Sequence, residues 1–326
     1  MRRILIAHLA LVALPLLLSR PAAAQEAPYP SRPVRILVGF PPGGGVDLLA
    51  RVLAQRLQDR MGQPFIVENR PGQAGTLSTE LGARSVADGH TLIMVNIGIM
   101  TLNPHLYRNY PLDPRRDLAP ISRLVTNSFF FFVPADLPAR TLPEFVALAR
   151  ARPGELNFGS AGAGGITHVA PEVFRRHVGV ALTHVPYRGS APAMTDLMAG
   201  RIQLQMDIWG VGEAAVQSGR VRALAISGPA RSALAPDVPT AGEVLDPPFM
   251  LTGWQGMAAP AGTPRAIIER LNAELRAALQ DPEIARRLAA QGNDPAPSTP
   301  EEFRDLIAEY HSRMGEVIRA GGIVAD

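Results

Sequence analysis

The chain contains 326 residues, of which 47% are hydrophobic and 19% charged, and its formal net charge is +3. It has no cysteine, which excludes disulfides, thiolate catalysis and zinc–thiolate sites. It also has no lysine, which excludes a P-loop lysine and a Schiff-base lysine for pyridoxal phosphate. We therefore expect a protein without a cofactor.

The first residues have the pattern of a secretory signal peptide. Arg2 and Arg3 precede an apolar run over residues 4–18, and a segment of small residues ends at Ala24. Because the run is too short to span a bilayer well, it predicts a signal peptide over residues 1–24 rather than a permanent anchor. We expect cleavage between Ala24 and Gln25 and a periplasmic location, with Sec and twin-arginine export both left open.

The mature chain is predicted to be electrically neutral. The full chain has 32 basic and 29 acidic residues, and the predicted signal peptide contains three arginines and no acid. A neutral chain gives no electrostatic case for nucleic acid or an anionic membrane as a partner. Its length of about 300 residues suffices for two lobes of ordinary domain size.

Strands and helices alternate from the first mature residues onward. An apolar run over 34–40 predicts a buried strand, and leucine and valine at helical spacing predict a helix over 47–61. A strand over 65–68, a helix over 76–86 and a strand over 91–95 are predicted next. This order predicts a parallel sheet flanked by helices, with ligands at the carboxyl ends of its strands.

The middle of the chain is expected to cross into a second lobe. Residues 124–133 include four consecutive phenylalanines and predict one central buried strand that makes the crossing. A helix opened by a capping box at Thr141 and Glu144 follows. Strands are then predicted over 156–158, 181–186, 202–209 and 221–227, with helices over 167–178, 191–198 and 213–217.

A strand over 251–259 is expected to return the chain to the first lobe. Helices are predicted after it over 264–279 with Thr263 as the cap, over 282–291, and over 299–319 with a capping box at Thr299 and Glu302. The fold class is therefore α/β with two lobes, each a mainly parallel sheet flanked by helices, joined by two crossing strands in a clamshell. Residues 26–124 and 253–326 are assigned to the first lobe and residues 125–252 to the second.

Two glycine-rich loops stand between a strand and a helix. Their sequences are FPPGGGVD over residues 40–47 and GSAGAGG over residues 159–165. Each ends at a helix N-terminus, where unpaired backbone N–H groups and the positive end of the helix dipole favour an anion. Neither fits the G-x-G-x-x-G spacing of dinucleotide sites. One loop in each lobe predicts that the lobes close on a small anionic solute.

Several separated motifs cover nearly the whole mature chain. They are YPSRPVRILVGFPPGGGVD, GQPFIVENRPGQAG, ADGHTLIMV, GSAGAGGITH, HVPYRG, VPTAGEV and WQGMAAPAGTP. With these motifs the chain resembles the Bug-type periplasmic solute receptors of tripartite tricarboxylate transporters. The resemblance implies a Venus-flytrap fold that binds a carboxylated solute and hands it to a permease of one large and one small subunit. Arg188 stands where the family usually has lysine and His90 where it usually has tyrosine.

The resemblance places the solute's carboxylate at the two loops, partly through ordered water. Glycine lets backbone N–H groups approach a ligand because no Cβ atom stands in the way. Asp47, at the start of a helix, is either a structural cap or a residue that holds water at the site. The candidate binding residues of the loops are Phe40, Gly43, Gly44, Gly45, Ser160, Gly162, Gly164, Thr167 and His168.

Further side chains are candidates for the lining of the cleft. Arg188 is the candidate for a direct partner of the carboxylate because a guanidinium donates in a bidentate manner, with a plain surface arginine as the alternative. For Asn96, Tyr187, Asp207 and Trp254, packing is as good an explanation as binding.

Other functions stay open beside transport. An exported serine hydrolase would use Ser160 and His168, although the sequence around Ser160 lacks the first glycine of the G-x-S-x-G elbow. The same clamshell also suits a solute sensor that feeds a signalling receptor. No metal is expected, because His168 with Glu172 is a single pair. The expected partners are a small organic carboxylate, the permease subunits or a sensor protein, and we expect a monomer without enzymatic activity.

Overall fold

The computed structural model describes residues 29–43 and 45–324 of the chain. The predicted signal peptide, its cleavage site and Gly44 lie outside these ranges. Two β-sheets covered by helices form the two lobes, which confirms the predicted α/β fold class. Over the described ranges, no helix combines the length and the apolar character needed to cross a membrane.

The first lobe contains a six-stranded sheet, whose strands we number along the chain together with those of the second sheet. They are β1 (Val34–Val38), β2 (Phe65–Asn69), β3 (Thr91–Asn96), β4 (Leu118–Ser128), β10 (Thr252–Pro260) and β11 (Asp294–Pro295). Their order is β11-β4-β10-β3-β1-β2. β1 pairs in parallel with β2 and β3, whereas β10 is antiparallel to β3 and β4, and β11 is antiparallel to β4.

The second lobe contains a five-stranded sheet. Its strands are β5 (Phe130–Pro134), β6 (Asn157–Ser160), β7 (Thr183–Pro186), β8 (Leu204–Asp207) and β9 (Val221–Ile226). Their order is β7-β6-β8-β5-β9. β6 is parallel to β7 and β8, whereas β5 is antiparallel to β8 and β9.

Each sheet therefore contains antiparallel pairs, but most of its strands run in one direction, as expected of a mainly parallel sheet. The antiparallel pairs involve the strands beside the crossings. A chain that enters a sheet at the edge where parallel strands end must run against those strands. This is the position of β5 beside β8 and of β10 beside β3.

The predicted crossing strand over 124–133 is in fact two strands, β4 and β5, separated by Phe129. Ser227 is fully buried and ties this crossing to the returning one. The N–H of Phe129 donates to the Ser227 hydroxyl over 2.9 Å, and that hydroxyl donates to the carbonyl of Leu251 over 2.6 Å. The two crossings therefore lie side by side.

The helices agree with the predicted ones apart from their ends and a few short additions. Thr299 makes the predicted capping box with Glu302. Thr141 caps its helix, but the carboxylate of Glu144 accepts from the N–H of Arg140 instead of closing the box. Thr263 does not cap a helix, because its hydroxyl donates to the carbonyl of Pro260. The helices are α1 (Gly45–Met61), α2 (Thr76–Ala83), α3 (Asn103–Leu106), α4 (Pro114–Asp117), α5 (Leu142–Ala151), α6 (Ile166–Val178), α7 (Ser190–Met198), α8 (Trp209–Gln217), α9 (Ala241–Val244), α10 (Arg265–Leu279), α11 (Pro282–Ala289) and α12 (Pro300–Gly321).

One hydrophobic cluster runs through both lobes. It contains Ile93 of the first sheet, Phe131 of the second, Phe174 of α6 and Met314 of α12, all of them buried. Burial of such side chains is worth about 2 kcal/mol each. The C-terminal helix α12 thus packs on both sides of the boundary between the lobes.

Candidate functional site

The carboxyl ends of the parallel strands face each other across the crossings. β4 runs in the same direction as β3, because both are antiparallel to β10, so it ends at the edge where β1 and β3 end. β5 begins at the edge where β6 and β8 end, because it is antiparallel to β8. Since β4 leads directly into β5, the first glycine loop and the second one lie at the two sheet edges that the crossings join.

The first glycine loop connects β1 to α1. Gly43 has a φ of 82°, a left-handed conformation that L side chains rarely adopt, which is why the backbone needs glycine there. An added Cβ at Gly43 or Gly45 meets no atom within 4 Å among the described residues, so both positions border open space.

Asp47 holds the first loop in shape. Its side chain is only 1% exposed. Its carboxylate accepts hydrogen bonds from the N–H of Gly43 (2.8 Å), from Nε of Arg51 (2.9 Å) and from Nδ2 of Asn69 (2.8 Å). Burial raises the pKa of this carboxyl, but the bonds from Arg51, Gly43 and Asn69 outweigh burial and hold the pKa below its ordinary value. Of the two alternatives for Asp47, a structural cap or a residue that holds water, these contacts are those of a structural cap.

A third glycine turn adjoins the first loop and was not among the predicted site residues. It is the 3₁₀ turn Gln73–Gly75, which precedes α2. A Cβ on Gly39 would come within 2.5 Å of the Cα of Gly75, so the two backbones are in direct contact. The side chain of Phe40 also lies against Gly75. The sequence signal was the glycine pair of the GQPFIVENRPGQAG motif just before a predicted helix.

The second glycine loop connects β6 to α6, and some of its backbone N–H groups donate to side chains of the loop and of α6. The N–H of Ala161 donates to the hydroxyl of Thr167 (2.9 Å), and the N–H of Gly164 donates to Nδ1 of His168 (3.0 Å). The N–H groups of Ala163, Gly165 and Ile166 have no acceptor in the described part of the chain. These groups lie at the N-terminus of α6, so the loop keeps donors available for an anion.

His168 stacks on His184, a residue that the sequence-based site did not include. The two ring centroids are 3.6 Å apart and the rings are nearly parallel, with 8° between their planes. Nε2 of His184 lies 2.7 Å from the hydroxyl oxygen of Ser160. Burial, and then the charge of Arg175, lower the pKa of His168 to about 4. Burial, and then the neighbouring His168, lower the pKa of His184 to about 4.

Asn96 and Asp207 are the last residues of β3 and β8, at the sheet edges that carry the glycine loops. The side-chain oxygen of Asn96 accepts from the N–H of Ile99 (3.0 Å), and so it caps the turn after β3. Asp207 is 5% exposed and accepts from Nε2 of Gln205 (3.1 Å) and from the N–H of Ile208 (2.9 Å). Burial raises the pKa of this carboxyl.

Tyr187, Arg188 and Trp254 have three different surroundings. The hydroxyl of Tyr187 donates to the carboxylate of Asp196 over 2.8 Å. Arg188 is exposed and forms no ion pair with any other described residue. Trp254 is 1% exposed and packs edge-on against Phe303 with ring centroids 5.2 Å apart, inside the cluster that joins the lobes. The backbone on each side of Arg188 is bonded to the second loop, since the N–H groups of Tyr187 and Gly189 donate to the carbonyls of Ser160 and Ala161. Trp254 lies in the core.

The contacts of Ser160 bear on the hydrolase alternative. Ser160 is fully buried, and its hydroxyl contacts His184 rather than His168. Nδ1 of His168 is occupied by the N–H of Gly164. The proposed pair of Ser160 and His168 is therefore not a hydrogen-bonded pair in this structure. Among the described residues there is also no group of three or more histidine, aspartate or glutamate side chains that suits a metal ion.

Known proteins are similar to this chain in fold and in sequence. The family model of the "Tripartite tricarboxylate transporter family receptor" matches residues 49–323. BugT from Bordetella pertussis is 36% identical over 295 residues, which are 90% of each chain. An R. palustris protein solved with adipate is 32% identical with a TM-score of 0.78, and the match covers 91% of this chain and 99% of that one. MatC from Rhodopseudomonas palustris with bound malate is 30% identical with a TM-score of 0.73, over 89% and 100% of the two chains. The chain belongs to the receptor family of the tripartite tricarboxylate transporters.

Proposed function

We propose that this protein is an extracytoplasmic receptor that captures a small carboxylate-bearing metabolite between its two lobes. The observation that carries the proposal is the N-terminus of α6, where N–H groups have no acceptors in the described chain. We infer that these donors face the first glycine loop across the cleft, because both loops lie at the sheet edges that the crossings join. Two similar proteins were solved with adipate and with malate, and both solutes are carboxylates.

Capture needs no bond chemistry. Closure of the lobes replaces the hydration shell of the carboxylate with fixed N–H donors and with the positive end of the helix dipole. The solute stabilises the closed form only through contacts that the open form lacks. We assign the backbone donors of the first lobe to Gly44 and Gly45, whereas Gly43 shapes the loop because its N–H donates to Asp47. Gly162 and Gly164 shape the second loop, and ordered water bridges part of the contact.

Arg188 supplies a positively charged side chain that can bind the solute's carboxylate. Its guanidinium is exposed and has no ion pair within the described ranges, so it is available for a second oxygen pair of the solute. Tyr187, Asn96 and Asp207 contribute to the shape of the cleft, and His168 contributes through the loop that it holds.

The closed receptor docks onto the large and small permease subunits of a tripartite transporter. It acts in the periplasm as a monomer after the removal of residues 1–24. A role as the sensing partner of a signalling receptor is the second candidate, because the same closure serves both uses. Inspection of the neighbouring genes separates the two candidates: permease-subunit genes beside the gene of this protein would favour transport over sensing.

A single backbone N–H can be removed without disturbing the helix that carries it. Ile166 is the first residue of α6, and it follows Gly165, whose φ of −70° and ψ of 167° suit the residue before a proline. Proline is favoured at the first position of a helix because its missing N–H has no partner there. Ile166→Pro therefore deletes one donor of the site, and Ile166→Ala is the matched control that keeps it.

Calorimetric titration with adipate, malate and a panel of other mono-, di- and tricarboxylates tests the proposal. We expect at least one carboxylate to bind and to be recovered unchanged. Ile166→Pro should lower the affinity for that carboxylate by about tenfold or more, since a hydrogen bond to a charged group is worth about 1.5–3 kcal/mol. Ile166→Ala stays within about threefold of the unsubstituted protein because it keeps the N–H. Equal affinities of the two variants contradict the proposal, and ester turnover lost on Ser160→Ala favours the hydrolase.

A further inference from the structure

Two stacked imidazoles hold the second glycine loop from beneath. His168 comes from α6 and is 7% exposed, and His184 comes from β7, the strand next to β6. Phe158 packs beside both imidazoles, with its ring centroid 4.9 Å from that of His184 and 6.0 Å from that of His168. The three rings thus form one packed cluster, and each imidazole also contacts a polar group of the loop.

The contact with Gly164 determines the protonation of His168. A backbone N–H can only donate, so Nδ1 of His168 must carry a free lone pair in order to accept from Gly164. The proton then resides on Nε2 and the ring is uncharged. A charge on this ring would face His184 at 3.6 Å as well as the guanidinium of Arg175 on the same helix, so both surroundings favour the neutral form.

The contacts of Ser160 assign a proton to His184. The serine hydroxyl has one hydrogen and two lone pairs. It donates to the carbonyl of Gly162 (3.0 Å) and accepts from the N–H of Gly162 (3.3 Å). Its remaining lone pair lies 2.7 Å from Nε2 of His184, which therefore donates. In this arrangement the hydroxyl of Ser160 is fully used in holding the loop.

We propose that His168 and His184 are positioning residues of the second loop, and that as an uncharged stacked pair they fix Gly164 and Ser160 before a solute enters. The loop then has one shape, in which the N–H groups of Ala163, Gly165 and Ile166 remain free of internal acceptors. Preorganised donors bind an anion more tightly because their ordering costs nothing at the moment of binding. The inference rests on the proposed function, since it assigns a role within the same site.

Substitutions separate the hydrogen bond of His184 from its stacking. His184→Phe keeps an aromatic ring in the cluster with His168 and Phe158 but cannot donate to Ser160. His184→Gln places an amide N–H where Nε2 stands but gives up the ring. His177→Phe, on the exposed part of α6, is the matched control because the hydrogen bond of His177 goes to Pro247, away from the loop.

The first readout needs no solute. Nitrogen-15 NMR of the free, full-length mature protein at pH 7 should show His168 and His184 neutral with the proton on Nε2. Hydrogen exchange of the Gly164 amide should accelerate about tenfold in His184→Phe, which corresponds to the loss of about one hydrogen bond. It should stay within about threefold of the unsubstituted protein in His184→Gln and His177→Phe.

The second readout is the affinity for adipate and malate. We expect His184→Phe to lower the affinity for the acid that binds by about tenfold, because one hydrogen bond is lost. His184→Gln should lower it by less than about threefold, because the glutamine amide replaces that hydrogen bond. A charged ring, a proton on Nδ1 of His168, or unchanged Gly164 exchange in His184→Phe overturns the inference. If no acid of the whole carboxylate panel binds, the proposed function fails, but the NMR results still decide whether the pair positions the loop.

Discussion

The carboxylate of Asp47 offers the sharpest test of how the first loop is held. Asp47→Asn keeps the shape of the side chain but removes its charge. One oxygen still accepts, and the new amide group faces Nδ2 of Asn69, a donor that cannot turn away without losing its bonds to Phe40 and Arg51. One hydrogen bond is lost and two lose their charge assistance, so we expect the free energy of unfolding to fall by about 2 kcal/mol. This figure is already reduced because Arg51 is half-exposed.

Urea unfolding followed by circular dichroism measures this change. Asp59→Asn on the same helix is the matched control, because Asp59 is exposed and, among the described residues, accepts only from Gln55. We expect the control to stay within about 0.5 kcal/mol of the unsubstituted protein. The affinity for the carboxylate should fall in Asp47→Asn as well, since Gly43 loses its anchor. A stability of Asp47→Asn equal to that of Asp59→Asn would refute the reasoning.

Three more outcomes are expected. Gly39→Ala should lower the free energy of unfolding by about 2 kcal/mol in urea titrations, because the new Cβ meets the backbone of Gly75. Gly45→Ala is the control, since its Cβ points into open space. Equal stabilities of the two variants would contradict this prediction. The free energy of unfolding should fall by about 2 kcal/mol from pH 6.5 to pH 4. The pKa values of His168 and His184 are lowered to about 4 in the folded chain, so these imidazoles bind protons in the unfolded chain at a higher pH than in the folded chain. A stability that does not change with pH in thermal unfolding argues against a buried neutral pair. Arg188→Ala should weaken carboxylate binding about tenfold in calorimetry without changing the melting temperature, and an unchanged affinity would remove Arg188 from the site.

Much of the fold was predictable because its signals are local. The strand and helix alternation over the first hundred residues, the cap at Thr299 and the glycine loops before α1 and α6 each depend on residues a few positions apart. The same holds for the end of α6 at Gly179, which takes the left-handed conformation that glycine favours.

Features that depend on distant residues were missed or predicted wrongly. The mixed sheets follow from where the chain re-enters each lobe, which periodicity does not encode. The contact of Gly39 with Gly75 and the bond between Ser160 and His184 join different elements. Thr263 looked like a cap by sequence, but Pro264 occupies the N-cap position of α10 and the threonine hydroxyl donates to the carbonyl of Pro260.

The crystal structure of this protein with a bound carboxylate tests the central claim most directly. We predict that the carboxylate lies within hydrogen-bonding distance, directly or through one water, of the N–H groups at the start of α6 and of the first glycine loop. A carboxylate bound away from both loops would contradict the account.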